Sequence, residues 1–155
     1  GEGDVVGLMP PFSFMALDNG WVNIGGLKQL DIPVVDMMVA NGKSLENEQT
    51  AELIVKFLDA VYTANQALND DPEMAKQLLA QYYTENASEV DEANIAQDIG
   101  RIHFLTKEDM KARENGQFLK IMAEFMHSTG KVEDGKMGLF ETNVTDQYLN
   151  KVLAG

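Results

Sequence analysis

Few side chains in this sequence could perform catalysis, and the histidines come first among them. The chain has two histidines, His103 and His127, and their spacing matches neither a His-x-x-x-His pair nor a histidine–carboxylate metal motif. Ser128 and Asp134 could form a triad with His127 on paper, but nothing around the serine resembles a nucleophile elbow. We therefore predict no catalytic residue, no metal site and no cofactor.

A more informative group is the run Met9-Pro10-Pro11-Phe12-Ser13, which follows the first apolar residues. A proline pair cannot lie inside a sheet, so a strand that precedes it must end at Met9. Open α/β folds bind ligands beyond their strand ends. We predict that Met9, Pro10, Phe12 and Ser13 contact a ligand. The alternative is a rigid turn in which Phe12 packs into the core.

The composition excludes several classes of protein. The chain has 155 residues, 45% of them hydrophobic, which is enough for one domain with a core and too apolar for a disordered tail. Its formal net charge of −13 repels phosphate groups, which argues against nucleic acid and anionic lipid as partners. The absence of cysteine excludes disulfides and thiolate chemistry. No run reaches the roughly eighteen apolar residues of a membrane span, and no signal peptide is visible.

Strand signals are confined to the first part of the chain. Val5, Val6 and Leu8 form a short apolar run, Trp21–Ile24 is a weaker candidate, and Val34–Val39 precedes an Asn-Gly turn. Two or three strands leave unpaired edges that need partners. Because the chain begins almost directly on the first strand, we expect it to be a piece of a larger protein.

The remainder of the chain has helical periodicity. An acid, a proline and a second acid at Asp71–Glu73 predict a helix start, and Thr106–Asp109 resembles a capping box. The predicted helices cover about residues 46–68, 72–85 and 88–100, then a fourth from 106 that is interrupted at Asn115-Gly116 and resumes over 118–126, and a short one over 146–153. In the second of these we expect Ala75, Leu78, Leu79 and Tyr82 to face inward. The predicted fold class is therefore α/β, with two or three strands followed by about five helices.

The sequence resembles the periplasmic substrate-binding proteins of ABC importers, especially the nitrate, sulfonate, taurine and thiamine-precursor binding group. Residues 1–12 are similar to that family's Gly-x-x-Asp-Ala…Pro-aromatic element. The likeness continues, in the family's order, through the Pro33–Asn41 strand, Phe57–Ala60, Asn69–Glu73 and Phe125–Val132. The order of these short motifs carries the resemblance, because each one alone is loose.

The resemblance implies a partial type II periplasmic-binding-protein fold, in which two α/β lobes close on a solute. The chain would then supply the end of the second lobe (1–31) and the C-terminal part of the first lobe (32–155), with a hinge near Asp31–Pro33. Met9, Pro10, Phe12 and Ser13 would lie on the wall of the cleft. The sequence departs from the family at Val5, Met9 and Pro10, so the resemblance does not fix the solute.

The resemblance also implies partners and a location. The partners would be a small-molecule solute and the membrane permease subunits of the transporter, without insertion into the membrane. The protein would be bacterial and periplasmic or extracellular, and possible lipid anchoring would require an N-terminal segment upstream of Gly1. It would bind its solute without changing it, so we predict that it is not an enzyme.

Two alternatives belong to other functional classes. One is an enzyme of the same fold, of the type that makes the thiamine pyrimidine; the sparse histidines and the missing cysteine argue against it. The other is a helical interaction module whose strand edges are covered by self-association, which predicts a homodimer.

Overall fold

The computed structural model describes residues 3–26, 37–86, 88–113 and 116–155, and the regular secondary structure of these residues is helical. The chain divides into two compact units, one comprising Gly1–Ile24 and Asn65–Phe104, the other comprising Gly25–Ala64 and Leu105–Gly155. The α-helices are α1 Phe12–Asp18, α2 Gly42–Leu45, α3 Glu48–Asp70, α4 Pro72–Glu85, α5 Glu92–Arg101, α6 Lys107–Lys111, α7 Gln117–Ser128, α8 Gly138–Thr142 and α9 Gln147–Ala154, with a 3₁₀ turn at Asp134–Lys136.

The predicted α/β class is wrong, because the described residues contain no strand. A strand exists only through hydrogen bonds to a neighbouring strand. The apolar run at Val5 and Val6 lacks such a neighbour in this part of the chain, and both side chains are exposed. Trp21–Ile24 is likewise irregular. Of the third candidate, only 37–39 is described, without strand structure, and 34–36 lies outside the described residues.

The proline pair has a different role from the predicted one, since it starts a helix and does not end a strand. The Ser13 amide donates to the Met9 carbonyl at 3.1 Å, and the Phe14 amide donates to the Pro11 carbonyl at 2.9 Å. A proline suits this position because the first amides of a helix have no partner within it. Residues 12–18 therefore form α1.

The helix starts that depend on local capping are confirmed. The Asp71 carboxylate accepts a hydrogen bond from the Met74 amide at 3.0 Å, directly before Pro72 at the start of α4. Thr106 and Asp109 exchange side-chain to backbone hydrogen bonds in a complete capping box at the start of α6. Such signals act within four residues, so the sequence alone reveals them.

In the first unit, α4 packs against α5. Three apolar side chains are buried there, those of Ala75, Ile95 and Ile99. The inward orientation of Ala75 is confirmed, but Leu78 and Tyr82, also predicted to face inward, are exposed. Because α4 and α5 bury few large side chains, hydrogen bonds also contribute to holding this unit together.

The second unit is held by an apolar cluster. Tyr62 from α3 is buried with two residues of α9, Leu149 and Val152, and half-buried side chains surround them: Val55, Leu58, Met110 and Leu153. Burial raises the pKa of the Tyr62 hydroxyl above its ordinary value. An ion pair between Lys107 and Asp59 joins α6 to α3 within the same unit.

One glycine in the second unit is required by its conformation. Gly116, at the start of α7, has a φ of 78°, in the left-handed region that side chains disfavour. A Cβ atom at this position would lie 2.7 Å from Cγ1 of Val144. The residue must therefore be glycine for α7 to begin where it does.

The predicted lobe boundaries, 1–31 and 32–155, concern the arrangement of a larger protein and stay a prediction. The predicted hinge near Asp31–Pro33 lies outside the described residues.

Candidate solute-binding segment

The four predicted ligand contacts lie in one short segment that ends in the first turn of α1. Met9 is 76% exposed, and the Pro10–Pro11 peptide bond is cis, with Pro11 buried. Phe12 is the first residue of α1, and Ser13, the second, is half-buried. Their contact with a ligand stays a prediction.

Phe12 lies in a group of three aromatic rings within the first unit. Its ring meets the Tyr83 ring edge to face, with centroids 6.5 Å apart, and Tyr83 meets Tyr82 in the same way at 5.6 Å. Phe12 is 46% exposed and Tyr82 is 58% exposed. The alternative in which Phe12 packs into the core is therefore wrong. We call Phe12, Tyr82 and Tyr83 the aromatic cluster.

An ion pair on α5, between the buried Asp98 and the exposed Arg101, acts on the Tyr83 hydroxyl of this cluster. Oδ1 of Asp98 accepts hydrogen bonds from Nε of Arg101 at 2.8 Å and from Nη2 at 2.6 Å, and Asp98 is only 5% exposed. The pKa of the Tyr83 hydroxyl is raised, chiefly by burial, then by the negative charge of Asp98 and by Tyr82, while Arg101 opposes the shift. Burial is thus the main influence on the Tyr83 hydroxyl, and the Asp98–Arg101 pair modifies it.

A second contact from α5 fixes the other end of α1. The buried Asn94 side chain donates from Nδ2 to Asp18 Oδ2 at 3.0 Å and to Asp91 Oδ2 at 2.8 Å. Asp18 is the last residue of α1, and Asp91 caps α5. One amide therefore joins the segment that carries Phe12 to the helix that carries Asp98.

The sequence analysis singled out Phe12 but missed the other residues of this part of the first unit. Asp98 and Arg101 are three residues apart on one helix, which is a recognisable ion-pair spacing. The contact between Asn94 and Asp18 joins residues far apart in the sequence and leaves no local signal. Tyr83 was not singled out, since it stands beside a tyrosine that was predicted to face inward.

The hypothetical triad of Ser128, His127 and Asp134 is only partly assembled in the second unit. His127 Nε2 lies 2.7 Å from Asp134 Oδ1, but the Ser128 hydroxyl donates to the Phe125 carbonyl of its own helix at 2.8 Å. Among the described residues, no group of three or more histidine, cysteine or acidic side chains is placed to hold a metal ion. In the same residues, no helix is both long enough and apolar enough to cross a membrane.

Comparison with known proteins gives one informative result. The chain is 30% identical over 150 residues to a protein of Brachyspira hyodysenteriae that is provisionally named an ABC transporter periplasmic binding protein. The match covers 97% of this chain and 43% of the relative, so the chain spans less than half of the relative's length. No protein-family model matches the chain, and no solved structure matches it.

This similarity agrees with the predicted family at a coarse level. It extends over almost the whole chain, as the predicted likeness does. It favours a binding protein over an enzyme, and it gives no solute and no subtype.

Proposed function

We propose that the chain is part of the solute-binding component of an ABC importer. The observation that carries the proposal is the similarity over 97% of the chain to a protein named as such a component. In this role the protein binds a small solute and delivers it to the permease subunits in the membrane, without chemistry on the solute. The location that follows is periplasmic or extracellular.

The finer parts of the proposal come from the motifs in the sequence. The order of motifs from residue 1 to Val132 favours the nitrate, sulfonate, taurine and thiamine-precursor binding group. Residues 1–31 and 32–155 would then belong to different lobes of the complete protein. The residues that we expect at the solute are Met9, Pro10, Phe12 and Ser13.

A solute screen tests the function directly. The Trp21 amide donates to the Ala16 carbonyl of α1 at 3.0 Å, so this half-exposed indole reports on the segment that carries the predicted contacts. We would add taurine, alkylsulfonates, nitrate and aminopyrimidines to the complete protein that contains this chain, and follow Trp21 fluorescence and thermal unfolding. A solute at about 100 times its Kd should add about 2.7 kcal/mol to the free energy of unfolding.

Two outcomes would contradict the proposal. If no solute of the panel changes the fluorescence or the unfolding of that complete protein, the proposed solute-binding function is wrong. If a solute binds and is recovered chemically altered, the enzyme alternative is correct. A Trp21→Phe variant controls for the probe, because its unfolding should still respond to the solute.

A further inference from the structure

Helix α3 has two apolar stripes, and the described residues cover only one of them. The covered stripe includes Leu58 and Tyr62, which belong to the apolar cluster of the second unit. The other stripe, which we call the outer stripe, consists of Leu53, Phe57, Ala60 and Ala64. Leu53 is 63% exposed and Phe57 is 59% exposed, and both alanines are exposed. All four residues belong to the second unit.

The spacing of these residues makes the outer stripe continuous. Successive members are four, three and four positions apart, so their side chains lie on one face of α3 over about three turns. Exposed polar residues border this face on one side, namely Glu52, Lys56 and Thr63. Single exposed apolar residues are normal on a protein surface, but a contiguous apolar patch marks an interaction site. Two apolar stripes are typical of a helix that packs against neighbours on both sides.

The sizes of the side chains indicate what kind of partner fits. A spacing of alternately four and three positions is the seam along which two helices pack. Leu53 and Phe57 provide large side chains that can insert between the residues of a facing helix. Ala60 and Ala64 add little bulk, so the facing backbone can approach closely at this end. The outer stripe therefore fits the apolar face of another helix.

The length of the relative indicates the source of this helix. The similarity covers 97% of this chain but only 43% of the relative, so more than half of the relative has no counterpart in these 155 residues. Two parts of one polypeptide meet at a high effective concentration, which favours contact between them. A second copy of the chain is a poorer partner, because a formal net charge of −13 on each copy opposes self-association.

We propose that the outer stripe packs against an apolar helix from the part of the complete protein that lies outside these 155 residues. Burial of Leu53 and Phe57 would then contribute to joining the two parts. The proposal goes beyond solute binding and does not rest on it, since it concerns an interface within the protein.

Thiol labelling of the complete protein tests whether the outer stripe is covered. The 155 residues contain no cysteine, and the unsubstituted protein gives the background. Phe57→Cys and Ala60→Cys place a thiol in the stripe, while the control Glu52→Cys places one about 140° around the helix from Phe57. We expect both stripe thiols to react at least tenfold more slowly than the control, and a smaller difference would overturn the proposal. Ala60→Cys keeps the Phe57 ring, so it remains informative if Phe57→Cys loosens the interface.

Photo-crosslinking of the complete protein identifies the partner. A benzophenone amino acid replaces Leu53 in one sample and Phe57 in another, and mass spectrometry locates the crosslinked peptide. We expect a peptide of the same molecule from outside these 155 residues. Because positions 53 and 57 are about 6 Å apart along α3, a facing helix should be reached at two sites three or four residues apart.

The other outcomes of crosslinking contradict the proposal. A crosslink to a second copy, a crosslink within these 155 residues or the absence of a crosslink would each overturn it. Sites only two residues apart would indicate an extended segment, and the helical partner would be wrong.

Both experiments are independent of the solute-binding function, because neither requires a solute. If the outer stripe is covered and the solute panel fails, the interface stands and the solute-binding function is wrong. If a solute binds and the stripe thiols react as fast as the control, the function stands and the interface is wrong.

Discussion

The two compact units of this chain achieve order by different means. The second unit gathers Tyr62, Leu149 and Val152 into an apolar cluster. The first unit buries two polar side chains of α5, Asn94 and Asp98, beside its apolar residues and satisfies them with hydrogen bonds. Apolar packing contributes free energy but tolerates rearrangement, whereas a buried polar contact requires one particular partner. In the first unit, polar contacts therefore define the position of α1, the helix that carries Phe12 and Ser13.

The largest effect should follow from disrupting the apolar cluster. Leu149→Ala should lower the free energy of unfolding by about 3 kcal/mol, because it removes buried methyl groups and leaves a cavity. The measurement is urea denaturation followed by circular dichroism. Leu139→Ala is the matched control, since Leu139 is exposed on α8 of the same unit and should cost less than about 0.5 kcal/mol. Equal losses would show that the cluster does not stabilise the second unit.

The next largest loss of stability should follow from removing a buried polar contact in the first unit. Asn94→Ala removes the amide that joins Asp18 to Asp91, and it should cost about 2 kcal/mol. Amide hydrogens of α1 should exchange faster, because the end of that helix loses its contact to α5. The exposed Asn150 on α9 provides the control, and Asn150→Ala should leave exchange in α1 unchanged. If α1 is equally protected in both variants, this contact does not position the segment.

The outcome of the sequence predictions follows the same division between local and distant interactions. Asp71 and Thr106 were recognised as helix starts because their partners lie three residues away. The strands at residues 5–8 and 21–24 were wrongly predicted, because a strand depends on a neighbour that short apolar runs do not specify. Tyr82 was wrongly placed inside, since helical periodicity identifies a stripe of residues but not the helix that covers it.

The residues of the candidate site also differ in whether a local sequence pattern could reveal them. Phe12 was singled out from a local proline–aromatic pattern, and the structure places its ring against that of Tyr83. The buried Asn94 could not be found, because its partner Asp18 is 76 residues away in the sequence. Residues that fix a site by distant hydrogen bonds require the fold to be known first.

A smaller loss of stability should follow from removing the helix cap at Asp71. Its size can be compared with the loss from removing the long-range contact of Asn94 in the same unit. Asp71→Ala removes the acceptor for the Met74 amide and should cost about 1 kcal/mol. The neighbouring Asp70→Ala is the control, since Asp70 accepts only an exposed side-chain hydrogen bond from Gln66 among the contacts described for it. Thermal unfolding measures both variants. A loss from Asp71→Ala that exceeds the loss from Asn94→Ala would reverse the ranking of local and distant polar contacts.

The smallest effect is a pH dependence of the free energy of unfolding, and it concerns Asp91, the second carboxylate that accepts a hydrogen bond from Asn94. The pKa of Asp91 is lowered, first by the hydrogen bond from the Asn94 backbone amide and then by the one from its side chain. The folded state therefore binds fewer protons than the unfolded state. The resulting stability is fully present above the ordinary aspartate pKa of about 3.9 and is lost as the pH falls through the lower folded value.

Asp91→Asn tests this linkage, because asparagine can still cap α5 but does not titrate. Thermal unfolding of the chain and of this variant should differ most above the ordinary aspartate pKa of about 3.9, and the difference should shrink as the pH falls through the lower folded value. The matched variant is Glu92→Gln, one residue away and exposed, whose difference from the chain should be smaller over the same range. If the Asp91→Asn difference is constant with pH, the hydrogen bonds from Asn94 do not favour the charged carboxylate. The polar contacts of the first unit would then act through geometry alone.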